Sequence, residues 1–387
     1  TVLSLLNKNA IDVNSLITKK IPLENFNKIY DNIESNKILG AILEYSAETK
    51  VNQIKKFEIP DKIITTQSSA NIGIIGAGNF TKMTILPIMK KIKTNIKSIS
   101  SNSGFNSTSL AKKYNIPTST SDYKKIINDD QIDTVIIATR HDSHAPLILE
   151  SLKANKHIFV EKPLAITRYD LDQISELLVN NTKLFHVGYN RRFSPHVKKI
   201  KNSLNTLDPI NIIANMNAGF IKEDHWVHDI NEGGGRIIGE ACHLIDLCVF
   251  LTGSKIQRVC MNGMGPKASS LTDNASILIE FSNGSNAVLN YFSNGSKKYS
   301  KERVEVYSDG RTWILDNYRI TQGYNVKGFK KLSSKIDKGH TDQFREFINV
   351  VNNGGSNLIQ TDEILNVSSA SIAAIESLKY KKWINLG

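Results

Sequence analysis

Cysteine is scarce in this chain, with three residues among 387. Cys242, Cys248 and Cys260 form no C-x-x-C pair, and we interpret them as reduced core thiols. Long apolar runs are also lacking, since none approaches the ~20 residues of a membrane-spanning helix. No signal peptide is visible. These absences predict a cytoplasmic protein without a membrane partner.

Positively charged residues outnumber negatively charged ones, with 49 Lys and Arg against 37 Asp and Glu, and the net charge is +12. The lysines are scattered in pairs, such as Lys90 and Lys91, on predicted outer helix faces. Nucleic-acid-binding proteins usually cluster positive charge or alternate it with aromatic residues. We therefore predict a solvated basic surface and no nucleic-acid partner, although such a surface also attracts an anionic substrate or cofactor.

The order of predicted elements divides the chain into unlike parts. Residues 71–190 alternate apolar strands with amphipathic helices, which is typical of a parallel sheet covered on both faces. After about residue 205, strands follow in hairpin spacing, with turns at Asn283–Gly284 and Asp309–Gly310. The predicted fold class is therefore α/β, with a parallel-sheet domain at 63–190. An α+β domain with a large open, mostly antiparallel sheet follows at 191–387.

Predicted strands of the first domain lie at 72–75, 96–100, 134–138, 157–160 and 184–188. Its predicted helices lie at 81–91, 107–114, 123–128, 145–154 and 169–180. The second domain has predicted strands at 277–281, 287–292, 304–307 and 313–315. Its predicted helices lie at about 236–251, 341–351 and 361–378.

The first strand of the parallel-sheet domain runs into a glycine-rich turn. Gly76 permits a tight turn, and Gly78 has no side chain to keep a pyrophosphate from the backbone. The following helix offers unpaired N–H groups and a partial positive charge to phosphates. The third position of the motif, normally a small residue, is Thr81. Alone the motif is weak evidence, and an ordinary glycine turn is the alternative.

Four further blocks follow, at 138–145 (ATRHDSHA), 160–164 (VEKPL), 187–195 (VGYNRRFSP) and 232–247 (EGGGRIIGEACHLIDL). Through these blocks, residues 71 to about 380 resemble the glucose–fructose oxidoreductase/inositol dehydrogenase (Gfo/Idh/MocA) family. The resemblance implies a Rossmann dinucleotide-binding domain followed by the open-sheet domain. It also implies hydride transfer between NAD or NADP and a sugar, cyclitol or related hydroxyl, in a homodimer or tetramer formed through the outer sheet face.

Lys162 and His243 are the predicted catalytic residues. Lys162 follows a buried strand, and Pro163 restricts its backbone and helps to aim its side chain toward a substrate hydroxyl or carbonyl. His243 lies in the predicted helix 236–251, and its ordinary pKa suits a proton donor or acceptor. The alternatives are a surface lysine and a satisfied core histidine, and the resemblance favours the catalytic roles.

One position departs from the family pattern. Many members carry aspartate four residues before this histidine, where this chain has Gly239. Glu240, three residues before His243, lies on roughly the same side of the helix. We therefore predict that Glu240 assists catalysis in place of the aspartate; otherwise Lys162 and His243 must suffice.

Residues predicted to bind the cofactor are Gly76, Gly78, Asn79, Phe80, Ser101, Asn102, Thr139, Arg140, His144, Glu161, Lys162 and Asn190. The second strand ends without an Asp or Glu, which would bind the ribose of NAD and repel the phosphate of NADP. No arginine there indicates NADP, so both cofactors stay open.

Residues predicted to contact the substrate are Tyr189, Arg191, Arg192, Trp226 and His243. An arginine at 191 or 192 can pair with a substrate phosphate or carboxylate, or it only ties the two domains together. The pairs His141 and His144, and His225 and His228, have zinc-like H-x-x-H spacing. Neither has a convincing third ligand, and no metal is predicted.

Residues 1–62 do not look like the start of a dinucleotide-binding domain. The stretch 10–45 resembles the C-terminal tail of zinc-type medium-chain alcohol dehydrogenases, and 47–70 resemble a polar linker. Helical patterns at 2–6 and 23–34 and a strand at 40–45 are expected here. The block at 224–247 is similar to bi-domain oxidoreductases of bacterial surface-polysaccharide clusters. We therefore expect the C-terminal part of a fused enzyme that acts on a sugar or nucleotide sugar.

Other functions stay open at this point. An NAD-dependent glycosidase of the same fold would use its cofactor transiently, without net redox change. A non-enzymatic nucleotide sensor would tend to lose the E-K-P lysine or the histidine, and this chain keeps both. The chain could also be half of a coupled enzyme, with residues 1–46 as a remnant of the preceding domain.

Overall fold

The computed structural model describes residues 10, 12–25, 39–44, 70–204, 208–266 and 268–386. The chain forms two compact units, Thr1–Lys55 and Lys56–Gly387. In the first unit, strand β1 (Lys19–Pro22) pairs in parallel with β2 (Ala41–Glu44), and β2 confirms the strand predicted at 40–45. The predicted helix 2–6, most of 23–34 and nearly all of the predicted linker lie outside the described residues.

The second unit begins with a six-stranded parallel sheet in the order β5-β4-β3-β6-β7-β8. Its strands are β3 (Asn71–Ile75), β4 (Asn95–Ser100), β5 (Thr118–Thr120), β6 (Thr134–Ile137), β7 (His157–Val160) and β8 (Phe185–Val187). The central strands are apolar on both faces because helices cover both. The five predicted strands are confirmed. β5 was missed because its three residues give no apolar run.

Five helices accompany this sheet: α1 (Leu86–Lys91), α2 (Phe105–Tyr114), α3 (Lys124–Ile127), α4 (His144–Lys153) and α5 (Arg168–Leu178). Each confirms a predicted helix to within a few residues. The predicted helix 81–91 is divided, because Thr81–Ile85 form a π-helical turn before α1. Such turns are rare in proteins overall, and those that occur are often found at functional sites.

The remaining chain forms a nine-stranded sheet in the order β16-β15-β14-β13-β9-β12-β11-β10-β17. Its strands are β9 (Asn211–Asn217), β10 (Ile256–Gly263), β11 (Asn274–Phe281), β12 (Asn286–Phe292), β13 (Glu302–Ser308), β14 (Arg311–Asp316), β15 (Ile320–Tyr324), β16 (Lys331–Ser333) and β17 (Ile384–Asn385). All pairings are antiparallel except that of β9 with β12. The open, mostly antiparallel sheet is therefore confirmed, and β11 to β14 are the four predicted strands.

Four helices belong to this half: α6 (Pro195–Lys201), α7 (Cys242–Thr252), α8 (His340–Asn353) and α9 (Thr361–Tyr380). The predicted helix 236–251 is divided, because Ile237–Ala241 form a second π-helical turn before α7. Within the described residues, no helix is long and apolar enough to cross a membrane.

Helix α8 follows strands β9 to β16 of the second sheet in sequence, but it packs against the first sheet. Phe344 stacks on Phe159 of β7 with 4.5 Å between ring centroids, and Phe347 contacts the same ring at 5.4 Å. With Ile348, they belong to the core that also contains β3 and β4 residues. A helix from the second half therefore completes the core of the parallel sheet. This packing brings the N-terminus of α8 toward the carboxyl ends of the parallel strands.

Candidate active site

The glycine turn follows β3 at the carboxyl edge of the parallel sheet. Gly76 has φ +108°, and a Cβ there would lie 2.2 Å from the carbonyl oxygen of Ala138. Glycine is therefore required at this position. A Cβ at Gly78, in contrast, would meet no protein atom within 4 Å. Protein packing does not explain the second glycine, but the approach of a ligand to the backbone does.

Thr81, at the third motif position, closes the turn. Its buried hydroxyl donates to the carbonyl oxygen of Gly76 at 2.7 Å. Asn79 and Phe80 begin the helix, and the ring of Phe80 lies 5.8 Å from that of His340. The departure from a small residue is thus compensated by a hydrogen bond.

The end of β4 presents only neutral polar groups. Ser101 shares a hydrogen bond of 3.1 Å with Ser107, and Asn102 is exposed. Neither residue places a carboxylate or a guanidinium group where the ribose of the cofactor is expected.

Lys162 follows β7 with its side chain fixed by the second π-helical turn. Its Nζ donates to the carbonyl oxygen of Gly239 at 2.8 Å. An ammonium group has three donors, so two remain for other partners. Beside it, burial raises the pKa of Glu161 to about 7, although Lys162 opposes this shift.

His243 lies in the first turn of α7, and its side chain is buried. Burial, followed by the positive charges of Arg191 and Lys162, lowers its pKa well below the usual value. The imidazole is therefore neutral near pH 7. No described residue hydrogen-bonds its Nδ1. Nδ1 is enclosed by protein, so Nε2, which no described residue hydrogen-bonds, is the nitrogen of this neutral imidazole that can accept or return a proton near the lysine ammonium.

Glu240, predicted to replace the family aspartate, is paired with Arg236 and makes no hydrogen bond to Lys162. Its carboxylate accepts from Arg236 Nε at 3.1 Å. Burial raises the pKa of Glu240, but Arg236 and Lys162 together lower it below the usual value. Glu240 is therefore an anion paired with Arg236, and the group that binds Lys162 is the neighbouring backbone carbonyl.

Trp226 lies on the loop between β9 and α7 and contacts the loop that follows β6. Its ring meets that of His141 edge-on, with 4.8 Å between centroids, and the guanidinium of Arg140 lies 5.5 Å from it. Arg140 also forms an ion pair with Glu232. Thr139 holds Ser143 in the same loop at 2.7 Å. The two domains thus contribute adjacent walls to the site.

Three predicted contact residues are enclosed by protein. His144 is fully buried, its Nδ1 lies 2.7 Å from the carbonyl oxygen of Pro163, and burial lowers its pKa to about 4. Asn190 donates to the carbonyl oxygen of Lys338 at 2.8 Å. Tyr189 is buried with its hydroxyl 3.3 Å from Ser368 of α9. The substrate contact predicted for Tyr189 is therefore corrected, because its side chain points into the core.

Arg191 and Arg192 are both buried in ion pairs. Arg191 binds Glu302 through Nε at 3.0 Å and Nη2 at 2.8 Å. Arg192 binds Asp246 at 2.7 Å and Glu363 at 2.6 Å. Glu302, Asp246 and Glu363 all belong to 191–387, so these ion pairs occupy both guanidinium groups within the second domain and secure the start of that domain. Arg191 still places positive charge near His243.

Sequence reasoning missed a second histidine, His340. Burial and the charges of Arg191 and Lys338 lower its pKa to about 4. Gly339 before it has φ +87°, and a Cβ there would lie 2.4 Å from the carbonyl oxygen of Asn190. A glycine–histidine pair at the start of an amphipathic helix was the available signal. Only the packing of α8 on the parallel sheet brings it to the site.

The residues present fit a dinucleotide. Gly76 and Gly78 leave the helix N-terminus open to a pyrophosphate, and the strand ends supply polar groups for the ribose. Lys162 follows β7 at the same edge, and its positive charge acts on His243 of α7. Among the described residues, no three His, Cys, Asp or Glu side chains are placed to hold a metal ion.

Comparisons with known proteins agree with this geometry. Residues 70–189 match the Gfo/Idh/MocA model described as an oxidoreductase family with an NAD-binding Rossmann fold, and 208–313 match its C-terminal domain model. The oxidoreductase YrbE of Bacillus subtilis, itself uncharacterized, is 32% identical over 64% of this chain and 74% of its own. Myo-inositol 2-dehydrogenase of Thermotoga maritima is 23% identical over 72% of this chain and 86% of its own.

The fold has close structural neighbours. Levoglucosan dehydrogenase, solved in complex with NADH and levoglucosan, has a TM-score of 0.72 at 19% identity. The match covers 82% of this chain and 99% of that one. At this identity the likeness shows the fold alone.

Proposed function

The chain belongs to the Gfo/Idh/MocA family of NAD-binding oxidoreductases, and we propose that it oxidises a secondary hydroxyl of a polyol or sugar. It is an NAD(P)-dependent oxidoreductase. The names of relatives, myo-inositol 2-dehydrogenase and levoglucosan dehydrogenase, support a cyclic polyhydroxylated substrate. The single observation that carries the proposal is the lysine ammonium fixed at Gly239 beside a neutral, unpartnered histidine.

These two side chains divide the proton chemistry. Lys162 has donors left to bind the substrate oxygen and to stabilise the negative charge that develops on it. Neutral His243 accepts the hydroxyl proton in oxidation and returns it in reduction. A bound nicotinamide supplies hydride exchange at the substrate carbon. Glu240 serves this site by holding Arg236 within the same turn.

Gly76, Gly78, Asn79 and Phe80 would hold the pyrophosphate, with Ser101 and Asn102 at the ribose. Thr139, Arg140 and Glu161 would line the nicotinamide end, supported from behind by His144 and Asn190. Trp226 and His243 remain the proposed substrate contacts.

Several finer proposals extend this function. A nucleotide-linked sugar and a role in bacterial surface-polysaccharide synthesis stay predictions, as do a cytoplasmic location and a fused alcohol-dehydrogenase-like half ending at residue 62. The division into Rossmann domain at 63–190 and substrate domain at 191–387 is also kept as a proposal. Assembly through the outer sheet face is supported by Ile213, Val288 and Leu278, which align across β9, β12 and β11. Ile213 and Leu278 are exposed there.

The test is reduced-nicotinamide absorbance with NAD or NADP and a panel of cyclitols, anhydrosugars, aldoses and nucleotide sugars. Lys162→Ala should abolish the signal, whereas Lys153→Ala, on the exposed surface of α4, should retain it. Tight cofactor binding without turnover across the panel would indicate a sensor. Glycoside cleavage without net redox change, by protein whose cofactor survives washing, would indicate a glycosidase.

A further inference from the structure

The ring of His141 fills the space beside the α-carbon of Gly239. A Cβ at 239 would lie 2.7 Å from His141 Cε1, 3.2 Å from Nδ1 and 3.8 Å from Nε2. The φ of Gly239 lies outside the left-handed region, so its backbone conformation does not demand glycine. Glycine is required here by space, and the group that takes the space is an imidazole from the other domain.

The orientation of this imidazole is determined. His141 Nδ1 lies 2.8 Å from the carbonyl oxygen of Gly233, which only accepts hydrogen bonds, so Nδ1 carries the proton. Burial and the charge of Lys162 lower the pKa of His141 to about 3, so the ring is neutral. In this tautomer Nε2 holds a lone pair and acts as an acceptor. Trp226 packs against the ring and restrains it.

Nε2 of His141 is free to accept a hydrogen bond close to the catalytic lysine. No described residue hydrogen-bonds Nε2, and it is not fully enclosed by protein atoms. Gly239, beside which the ring lies, holds Lys162 through its carbonyl oxygen at 2.8 Å. The site therefore presents a cationic donor and a neutral acceptor side by side. Two adjacent hydroxyls, one accepting and one donating, complement this pair.

We propose that His141 is a substrate-binding residue whose Nε2 accepts a hydrogen bond from the hydroxyl adjacent to the one that is oxidised. It occupies the volume that a side chain at 239 would otherwise fill. The substrate class it selects is a vicinal diol within a polyol or sugar. This inference rests on the proposed function and deepens it.

The shared space is tested first, with a readout that needs no activity. Gly239→Ala, His141→Ala and the double variant are compared by urea denaturation. If the two residues compete for one space, Gly239→Ala is destabilising alone and much less so when His141 is also alanine. Additive losses would overturn the assignment of that space to His141.

The acceptor role is tested by KM on matched substrates. His141→Leu should raise KM for a vicinal diol about tenfold, the effect of one lost hydrogen bond, and leave KM for the analogue lacking the adjacent hydroxyl unchanged. His141→Gln, which keeps an acceptor, should restore part of the difference. Lys153→Leu, at an exposed position on α4, is the control and should change neither.

Equal KM increases for both substrates would overturn the acceptor role and indicate a structural one. Absence of turnover on every polyol by the unmodified protein would overturn the proposed function and this inference together. Turnover that depends on Lys162 but not on His141 would overturn the inference alone.

Discussion

The carboxylate of Glu161 lies directly against the α-carbon of Gly188. A Cβ at 188 would be 2.8 Å from each carboxylate oxygen. Glu161 follows β7 and Gly188 follows β8, so the ends of two neighbouring strands meet with one side chain between them. Glu161, the residue before Lys162, can hold this position because Gly188 has no side chain.

Gly188→Ala should force this carboxylate to move. Because the site is enclosed, we expect a loss of about 1–3 kcal/mol in the free energy of unfolding, together with reduced turnover. Urea denaturation measures the first effect. Glu161→Ala in the same chain should remove most of the added cost, and an unchanged stability of Gly188→Ala alone would contradict the contact.

The raised pKa of Glu161 gives a defined pH dependence. Its pKa is about 7 in the folded chain against an ordinary value of 4.5. Between these values the folded state binds more protons than the unfolded state, so this group's contribution to stability falls as pH rises from 4.5 to 7. Unfolding of the parent and of Glu161→Gln, measured across this window, should show the fall only in the parent. A parallel pH dependence in both would refute it.

Replacing His243 should separate proton transfer from folding. His243→Ala should lower kcat by about 10²- to 10⁴-fold while cofactor binding persists. Because the pKa of His243 lies well below its usual value, no acid limb from this residue should occur near pH 6.5 in the oxidation direction. Stopped-flow rates against pH provide the measurement. Lys153→Ala, at an exposed position on α4, is the control, and an acid limb at that pH that disappears in His243→Ala would be contrary evidence.

Glu302 is the anion that balances the buried Arg191 and the half-buried Lys338. Burial raises its pKa, but these two cations lower it well below the usual value. Its contribution is therefore present above about pH 4.5 and lost as pH falls further. Glu302→Gln should cost about 3–5 kcal/mol at neutral pH, because it leaves charges buried without their partner. Asp309→Asn, at an exposed carboxylate, should change stability by less than about 0.5 kcal/mol, and a similar loss in both variants would argue against the network.

A carboxylate at the end of β4 should select the cofactor. Asn102→Asp places a negative charge where the ribose phosphate of NADP is expected, on an exposed residue. We predict that the ratio of NADP to NAD affinity falls at least about tenfold, measured by titration calorimetry. Asn128→Asp, exposed after α3, adds the same charge elsewhere and should leave the ratio unchanged. An equal effect of both would assign the change to net charge.

The fold was largely predictable because alternation of apolar strands and helices determines a parallel sheet, and hairpin turns determine an antiparallel one. Asp309 and Gly310 illustrate the second case, since both have positive φ, as a two-residue hairpin turn requires. Lys162 and His243 could be proposed as catalytic residues from the sequence because each belongs to a motif placed at the end of an element.

Side-chain direction was not predictable in the same way. Tyr189 precedes a 3-10 turn, Asn190–Phe193, and the sequence does not say that its ring enters the core toward α9. His340 reaches the site only through tertiary packing of α8, which periodicity does not encode. The relation between His141 and Gly239 joins residues far apart in sequence, and it becomes visible only as a distance.

The packing of α8 on β7 has a consequence for synthesis on the ribosome. Phe344 and Phe347 complete the core of a sheet whose strands all precede residue 188. While the chain is being made, the apolar surface around Phe159 that α8 covers stays exposed until more than a hundred further residues have emerged. Such delayed contacts slow folding and expose nascent chains to aggregation. Chaperone engagement should therefore persist until α8 has left the exit tunnel.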